Sequence, residues 1–345
     1  LAEPGEFTKR AYLNNKIDLA QAEAVIDLIN ASTARAANSA AQSLTGKFSF
    51  KINNLLDDLI KIRSYIEASL DFPEEDIDFI QAGKIKEKLE SLLNETNNIL
   101  ANAQQGRLLK DGINLVLIGQ PNVGKSSLLN QFAGEDKAIV TDIPGTTRDP
   151  ISSHLSINGI PINLIDTAGL RDTEDVVEKS GIQKTWDNIR SAGLVLFIVD
   201  ANTGISKYEK SILNQLPDNI PILWVFNKID LIDLLPKIDK TDDQIHVYIS
   251  AKHEQGLNLL KNEILFRIGV NLTDSNEELF TARKRHLIAL NHVKEAIQKS
   301  LEHISSAELC AEELNEAQKA LSNITGSFSS DDLLGEIFSQ FCIGK

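Results

Sequence analysis

One glycine-rich segment has the residue types and spacing of a phosphate-binding loop. Residues 119–126 read GQPNVGKS, so Gly119 and Gly124 frame the turn that leads into Lys125 and Ser126. Glycines let backbone amides curl around phosphate oxygens, the lysine can bridge β- and γ-phosphates, and the serine hydroxyl can ligate Mg²⁺. The segment follows the apolar run 113–118 and precedes a helix-like run at 127–132. This strand–loop–helix context predicts a nucleoside triphosphate site.

Three later motifs favour guanine over adenine. They read DTAG at 166–169, NKID at 227–230 and SAK at 250–252, and each follows an apolar run. We expect Asp166 to hold Mg²⁺ through water and the Gly169 amide to sense the γ-phosphate. The Asp230 carboxylate can accept both N1–H and the 2-amino group of guanine, while the Lys228 stem covers the base. The third motif places a backbone amide near guanine O6, and all four motifs share the strand edge where open α/β sheets bind ligands.

The segment between the first two motifs has the position of a switch loop. Residues 141–149 read TDIPGTTRD. One threonine here, for which Thr147 is the first candidate, should reach Mg²⁺ only when the γ-phosphate is present, which makes an order–disorder switch. The alternative is an ordinary solvated loop.

Hydrolysis needs a residue that aligns the attacking water. Ras-like GTPases use a glutamine directly after the second motif, and Leu170 stands there in this chain. An acid elsewhere must therefore align the water, or the intrinsic rate must be very low. The residues alone leave four candidates open: Asp172, Glu174, Asp175 and Glu178.

The charge of the transition state also needs a cationic partner. An arginine finger is worth about 10³–10⁵ in rate, and Arg148 and Arg171 are candidates. A monovalent cation is the other solution, and the side-chain oxygen of Asn122 could bind one beside the phosphates.

The elements that must position these residues fall into three stretches. Residues 1–110 and 269–345 have helical apolar spacing, whereas 111–268 alternate short apolar runs with helical segments. The runs at 113–118, 162–165, 194–199, 222–226 and 245–249 predict a mainly parallel sheet. The predicted fold class is therefore an α/β P-loop GTPase domain, Ras-like, inserted into a discontinuous all-α helical domain. Among the flanking helices we expect 82–104, 281–300, 307–322 and 330–341.

Composition narrows the functional class. The 345 residues carry a formal net charge of −14, which disfavours coating of nucleic acid by bulk electrostatics. Only Cys310 and Cys342 are present, without a CxxC spacing, which disfavours a disulfide scaffold or zinc site and suits a reducing cytosol. No apolar run is long enough to cross a bilayer and no signal peptide is evident. Because the chain has no Met, we expect it to be a piece of a longer protein, and the cysteine usage favours a cytoplasmic one.

Along essentially its whole length the chain resembles the bacterial and organellar tRNA-modification GTPases of the MnmE (TrmE) family. The GTPase motifs 119–126, 141–149 and 166–171 (DTAGLR) fit this family but also others. More specific are LAEPGEF at 1–7, LNNKIDLAQAE at 13–23, DFPEEDIDF at 71–79 and above all FCIGK at 341–345.

The resemblance implies a potassium-dependent GTPase that dimerises its G domains across the nucleotides. Carried over, potassium is bound by Asn122, Thr141, Ile143 and Thr146, and Thr147 joins Ser126 on Mg²⁺. The catalytic acid matches Glu178, which resolves the choice left open above.

The resemblance also implies the biological task. With an FAD-dependent partner of the MnmG/GidA family, such proteins modify carbon 5 of the wobble uridine in certain tRNAs, giving a carboxymethylaminomethyl-type product with a one-carbon unit from a tetrahydrofolate. The resemblance places Lys16 and Lys345 in the folate pocket, together with an N-terminal folate-binding and dimerising domain that we expect to precede Leu1 in the longer protein. Cys342 is a candidate functional thiol; the alternative is a tail cysteine that only packs.

With the motifs and the resemblance combined, the predicted GTP site draws on five segments. Its members are Asn122, Val123, Gly124, Lys125, Ser126, Ser127, Thr141, Ile143, Thr146, Thr147, Asp166, Thr167, Ala168, Gly169, Asn227, Lys228, Asp230, Ser250, Ala251 and Lys252.

The competing function is a regulatory ribosome-assembly switch of the Era or EngA type. Such proteins share the nucleotide motifs but carry an RNA-binding KH-type module after the G domain. Here, trailing helices and FCIGK take its place, which favours the first function.

Two charged runs have open interpretations. The basic run 283–286 (RKRH) is an RNA-contact candidate or a solvated helix face. The acidic residues 74–76 and Asp78 could bind a metal, or form a solvated helix start.

Overall fold

The computed structural model describes residues 2–71, 84–135, 154–166, 189–190, 192–217, 220–241, 244–270 and 279–326. Two compact units divide the chain. One comprises Leu1–Lys110 and Ser275–Lys345, and the other comprises Asp111–Asp274. The second unit is thus inserted between two segments of the first, and the predicted fold class is confirmed.

Helices joined by short connections make up the described part of the first unit. Its helices are α1 (Glu6–Leu13), α2 (Leu19–Ile29), α3 (Ala34–Leu44), α4 (Lys47–Asp71), α5 (Ile85–Asp111), α9 (Lys284–Glu302) and α10 (Ala307–Thr325). Helix α2 begins at a capping box, in which Asp18 accepts from the Gln21 amide at 2.8 Å and the Gln21 side chain accepts from the Asp18 amide. The predicted helix 82–104 continues to Asp111, and the one expected at 281–300 begins at Lys284. The helix expected at 330–341 lies outside the described residues.

The core of this unit joins its two chain segments. Buried apolar residues of α4 and α5 pack with those of α9 and α10. Phe48 stacks on Phe280 with ring centroids 4.6 Å apart, and the Ser43 hydroxyl donates to the Thr281 carbonyl at 3.2 Å. Residues far apart in sequence therefore share one apolar interior, so both segments are needed to bury it.

The basic run 283–286 is mostly paired within the helical unit, so the solvated-face interpretation is wrong for three of its four residues, and the same pairing disfavours the RNA-contact interpretation. Arg285 donates to both carboxylate oxygens of Glu23, at 2.8 and 2.9 Å, and Arg283 donates to Asp27 at 2.8 Å. His286 is 2% exposed, and its Nε2 lies 3.0 Å from Glu23. Only Lys284 of the run is exposed. The guanidinium groups compensate carboxylates that burial would otherwise make costly.

Burial and charge set the pKa values of this cluster. Burial, aided by the positive charge of Arg285, lowers the pKa of His286 to about 4. The Arg283 amide donates to His286 Nδ1 at 3.1 Å, so the neutral ring carries its proton on Nε2, facing Glu23. Burial would raise the pKa of Glu23, but His286 and Arg285 together lower it. For Asp27 burial prevails over Arg283 and Lys110 and raises the pKa.

The second unit is built on a seven-stranded sheet. Its strands are β1 (Ile113–Ile118), β2 (His154–Ile157), β3 (Ile160–Asp166), β4 (Leu194–Asp200), β5 (Ile222–Asn227), β6 (Lys237–Thr241) and β7 (Gln244–Tyr248). They lie in the order β2-β3-β1-β4-β5-β7-β6, with parallel pairing except at the two edges. The helices described in this unit are α6 (Lys125–Glu135), α7 (Lys207–Leu213) and α8 (Leu257–Arg267), and a 3₁₀ turn spans Ile229–Leu231.

The central strands match the predicted apolar runs, and the two antiparallel edge strands were not predicted. β6 reads KIDKT, whose charges suit an edge that must not pair with another chain. Central strands are covered on both faces and therefore read as continuous apolar runs. None of the helices in the described part of the chain combines the length and apolarity that a membrane span requires.

Candidate functional site

The phosphate-binding loop joins β1 to α6 in a conformation that needs its glycines. A Cβ at Gly119 would lie 2.2 Å from the Ile198 carbonyl oxygen of the neighbouring β4. Gly124 has φ +98°, and a Cβ there would lie 2.2 Å from Nδ2 of Asn227. Asn122 also adopts a left-handed conformation, at φ 64°. The backbone is thus curled against two neighbouring strands, which leaves no room for side chains at the two glycines.

Lys125 is held across the mouth of this loop. Its ammonium donates to the carbonyls of Gly119 at 2.5 Å and Gln120 at 3.2 Å. Lys125 is also the first residue of α6, so the positive end of the helix faces the same space. A cation and helix amides that converge on one turn form an anion site suited to phosphate.

Asn227, at the end of β5, connects the loops. Its side chain is 3% exposed; Nδ2 donates to the Val123 carbonyl at 2.8 Å, and Oδ1 accepts from the Ala251 amide at 2.9 Å. One amide group thereby ties the phosphate-binding loop to the loop that follows β7. The Ser250 amide is also engaged, with the Gln255 carbonyl at 3.0 Å.

Asp230 is presented as an ionised acceptor. The Ser250 hydroxyl donates to Oδ1 at 2.5 Å, and Nε2 of His253 lies 3.7 Å from Oδ2. The hydrogen bond from Ser250 lowers the pKa of Asp230, against the opposing effect of burial. A carboxylate that stays charged at neutral pH can accept two hydrogen bonds from one planar partner.

Lys228 is fixed beside Asp230 by a carboxylate from β4. Lys228 has a left-handed backbone at φ 66°, and its ammonium lies 2.9 Å from Oδ2 of Asp200. Burial alone would raise the pKa of Asp200, but the hydrogen bond from Lys228 lowers it. Asp200 was missed in the sequence, although its position at the end of a central strand puts it at the predicted edge.

Lys125, Asn227, Lys228 and Asp230 line one cleft of about 720 Å³ within the second unit. Its predicted members are Asn122, Gly124, Lys125, Ser126, Ser127, Asn227, Lys228, Asp230 and Lys252, and its unpredicted members are Gln120, Pro121, Leu129 and Leu231. Val123, Ser250 and Ala251 stand behind this lining as hydrogen-bond partners of Asn227 and Asp230. The cleft therefore has a cationic loop and an acidic residue in the same space.

Several predicted residues lie outside the described residues. They are Thr141, Ile143, Thr146, Thr147, Thr167, Ala168, Gly169, Glu178, Cys342 and Lys345, and the other water-aligning, arginine-finger and acidic-cluster candidates are also among them. Asp166 is described in its backbone as the last residue of β3, paired in register with Leu117 of β1. That register puts Asp166 beside the strand that leads into the phosphate-binding loop.

Lys16 lies in a different cavity, within the helical unit. This cavity of about 440 Å³ is lined by Tyr12, Leu13, Asn15, Lys16, Ile17, Asp18, Gln21, Asn53, Thr325 and Gly326. The Tyr12 hydroxyl donates to the Gly326 carbonyl at 2.8 Å, which ties the end of α10 to the start of the chain. The folate role predicted for Lys16 stays a prediction.

Comparison with known proteins gives consistent matches over the whole chain. A family model described as the MnmE helical domain matches residues 19–342. A protein of Hydrogenovibrio crunogenus named tRNA modification GTPase MnmE is 50% identical over 348 residues, which cover 100% of this chain and 77% of that protein. Proteins of the same name from Nitrosomonas europaea and Janthinobacterium sp. (strain Marseille) are 51% and 49% identical, again over 100% of this chain and over 77% and 76% of theirs.

Solved structures match in part. Era in complex with MgGDPNP and a piece of 16S ribosomal RNA is 27% identical and covers 53% of this chain and 66% of its own, with a TM-score of 0.34. The G domain of the T. maritima FeoB iron transporter is 27% identical and covers 45% of this chain and 98% of its own, with a TM-score of 0.33.

Proposed function

Because this chain belongs to the MnmE family of tRNA-modification GTPases, we propose that it binds GTP in the cleft that contains Lys125 and Asp230, hydrolyses it there and uses the reaction in modification of the tRNA wobble uridine. The observation that carries the proposal is the double hydrogen bond of Asn227. It ties the loop suited to phosphate to the loops suited to guanine, so that both lie in one cleft.

The residues of the cleft have complementary roles toward the nucleotide. The Lys125 ammonium has three N–H donors, so it can stay held by the loop carbonyls and still donate to the β- and γ-phosphate oxygens. The amides around Gly124 donate to the same phosphates. The Asp230 carboxylate accepts N1–H and the 2-amino group of guanine. The Lys228 stem, fixed by Asp200, covers the face of the base.

The predicted oxygen ligands also suit Mg²⁺ and K⁺, the two cations that the family resemblance implies. Ser126 lines the cleft beside Lys125, and with Thr147 it would hold Mg²⁺, with Asp166 acting through water. Asn122, Thr141, Ile143 and Thr146 would hold K⁺ beside the phosphates. Bound cations neutralise charge that develops on the phosphate oxygens during hydrolysis.

For the chemical step we assign Glu178 as the residue that aligns water. Water attacks the γ-phosphorus, the bond to the β–γ bridging oxygen breaks, and GDP and inorganic phosphate leave. Leu170 can neither donate nor accept a hydrogen bond, so alignment must come from another side chain.

We further propose that the protein acts in the cytoplasm as a homodimer that pairs its GTPase units. An FAD-dependent partner of the MnmG/GidA family carries the redox chemistry at carbon 5 of the wobble uridine and contacts most of the tRNA. A tetrahydrofolate supplies the one-carbon unit near Lys16 and Lys345, and Cys342 is a functional thiol near the modified base.

One experiment tests the central part of this proposal. GTP turnover by the 345-residue chain should be much faster in potassium than in sodium, and GDP with aluminium fluoride should drive dimerisation only in potassium. Equal turnover and a monomer in both salts would contradict cation-dependent pairing. Capture of an FAD-containing protein by the tagged chain tests the partner, and a ribosomal particle captured in its place would favour the assembly-switch function.

Glu178→Ala tests the assignment of the water-aligning acid. We expect single-turnover hydrolysis to be abolished, because no other group takes over alignment, while GTP affinity stays within a few-fold of wild type. Glu174→Ala is the matched control and should keep its activity. Near-normal single-turnover rates in Glu178→Ala would exclude the assignment.

A further inference from the structure

A buried carboxylate lies two hydrogen bonds from the phosphate-binding loop. Glu209, in the first turn of α7, is 1% exposed. Its Oε2 accepts from the Ser206 amide at 3.0 Å and also from the Ser206 hydroxyl. Ser206 is the N-cap of α7, and its Oγ accepts from the Tyr208 amide at 3.1 Å.

The same serine holds a residue of the phosphate-binding loop. Nε2 of Gln120 donates to Ser206 Oγ at 2.7 Å. The backbone carbonyl of Gln120 is one of the two that hold the Lys125 ammonium. A path of contacts therefore runs from Glu209 through Ser206 to the side chain of Gln120, and from the backbone carbonyl of Gln120 to the lysine that faces the phosphates.

The direction of each hydrogen bond in this path is fixed. A serine hydroxyl has one proton, and the proton of Ser206 is directed at Glu209, a group that accepts. Ser206 Oγ must then accept from Gln120, which settles that Nε2 of the Gln120 amide is turned toward it. Without the carboxylate the hydroxyl could rotate, and this orientation of the Gln120 side chain would no longer be imposed.

We propose that Glu209 is a positioning residue for nucleotide binding: through Ser206 it fixes Gln120, and Gln120 in turn fixes the backbone that orients Lys125. This inference rests on the proposed GTP site and adds to it a residue that does not line the cleft. The role combines with helix capping, since the Ser206–Glu209 pair also accepts from the amides of Ser206 and Tyr208 at the start of α7.

A role of Glu209 in helix capping alone predicts a different result, because the capping box does not involve Gln120. If Glu209 only caps α7, its loss lowers thermal stability and leaves nucleotide affinity intact. If the connection from Glu209 to the phosphate-binding loop matters, removing either the Glu209 carboxylate or the Gln120 amide weakens nucleotide binding. The effects of the two substitutions on affinity are then not additive.

The experiment measures affinity for a fluorescent GDP analogue and steady-state GTP turnover in Glu209→Ala, Glu209→Gln and Gln120→Met. We expect Glu209→Ala and Gln120→Met each to weaken GDP binding about 2- to 10-fold, as the loss of one hydrogen bond does, and to raise KM more than they lower kcat. Glu209→Gln should bind GDP close to wild type, because one amide oxygen can accept both hydrogen bonds from Ser206. Lys210→Ala, an exposed neighbour on α7, is the control.

The double variant Glu209→Ala/Gln120→Met should bind GDP no more weakly than the weaker single variant. The inference is overturned if Glu209→Ala melts at a lower temperature but binds GDP as tightly as wild type, or if Gln120→Met keeps wild-type affinity. Wild-type protein that binds no guanine nucleotide would instead overturn the proposed function. Wild-type binding with unaffected variants overturns only the role of Glu209.

Discussion

Among single residues, Asn227 connects the loops that form the cleft. It was predicted as a nucleotide contact. In the structure its buried side-chain amide links two loops, because it hydrogen-bonds to both Val123 and Ala251. A short motif gives residue type and order along the chain. It contains no information on partners that lie in other loops, so the linking role of Asn227 could not be predicted.

Asn227→Ala should therefore weaken nucleotide binding without removing any group that binds phosphate directly. The substitution leaves the Val123 carbonyl and the Ala251 amide unpaired in a buried setting, at a cost of about 1–3 kcal/mol each. We expect at least a tenfold loss of GDP affinity and a lower melting temperature.

Calorimetric titration with GDP and thermal unfolding would measure both effects. Asn214→Ala, an exposed asparagine of the same unit, is the control. GDP affinity within twofold of wild type in Asn227→Ala would contradict the role of Asn227 in linking the two loops.

Asp230→Asn tests how the base is read. An amide in place of the carboxylate offers one acceptor and one donor, which suits the 2-oxo group of xanthine better than the 2-amino group of guanine. We expect GTP affinity to fall and xanthosine triphosphate affinity to rise in competition binding. An unchanged preference for GTP would show that Asp230 does not contact the base.

At the scale of elements, the helices and strands that were predicted are those with strong apolar periodicity. β1, β4 and β5 are continuous apolar runs that are buried on both faces, and their positions were correct to within a residue. The edge strands β2 and β6 lack such runs. α3 reads ARAANSAAQSL, where small residues at the buried positions give little apolar contrast.

The cluster around Glu23 shows a different limit of sequence analysis. Arg285 and Glu23 are 262 residues apart, so the sequence near 283–286 shows only adjacent positive charges. Their carboxylate partners lie on α2, in the other segment of the helical unit. Only the packing of the two segments shows that these arginines are half-buried and paired.

This cluster predicts how the stability of the helical unit depends on pH. His286 is neutral in the folded state, with a pKa of about 4, whereas an unfolded histidine titrates near its ordinary value of 6.5. Between these values the unfolded state binds a proton that the folded state does not. The free energy of unfolding should therefore fall as the pH decreases from 6.5 to 4, by up to about 3 kcal/mol.

Urea unfolding at several pH values would measure this dependence. His286→Gln should flatten it over that range, while His292→Gln, an exposed histidine on the same helix, should not. The lowered pKa of Glu23 acts in the same direction and the raised pKa of Asp27 in the opposite one. His286→Gln also removes one of the two groups that lower the pKa of Glu23, whereas His292→Gln leaves both in place. Identical slopes for wild type and His286→Gln would contradict the assignment of a neutral, buried imidazole.

For the whole molecule, the domain order can be predicted from the sequence because the hydrophobic pattern changes twice along the chain. Helical periodicity gives way to alternating strands and helices and then returns, and this pattern by itself predicts an inserted domain. The stacking of Phe48 on Phe280 and the pairing of Glu23 with Arg285 could not be predicted, since no local pattern relates positions so far apart. Family membership, with residues 19–342 matched by one helical-domain model, agrees with this arrangement.

One cleft holds both the phosphate-binding loop and Asp230, the carboxylate that we propose selects guanine. Competition binding of GDP and ADP to the 345-residue chain tests this proposal most directly, since both share the diphosphate and differ in the base. We predict that GDP binds at least about 10³-fold more tightly than ADP, because adenine leaves the Asp230 carboxylate without its two donors. Equal affinities for the two nucleotides, or tighter binding of ADP, would contradict the account.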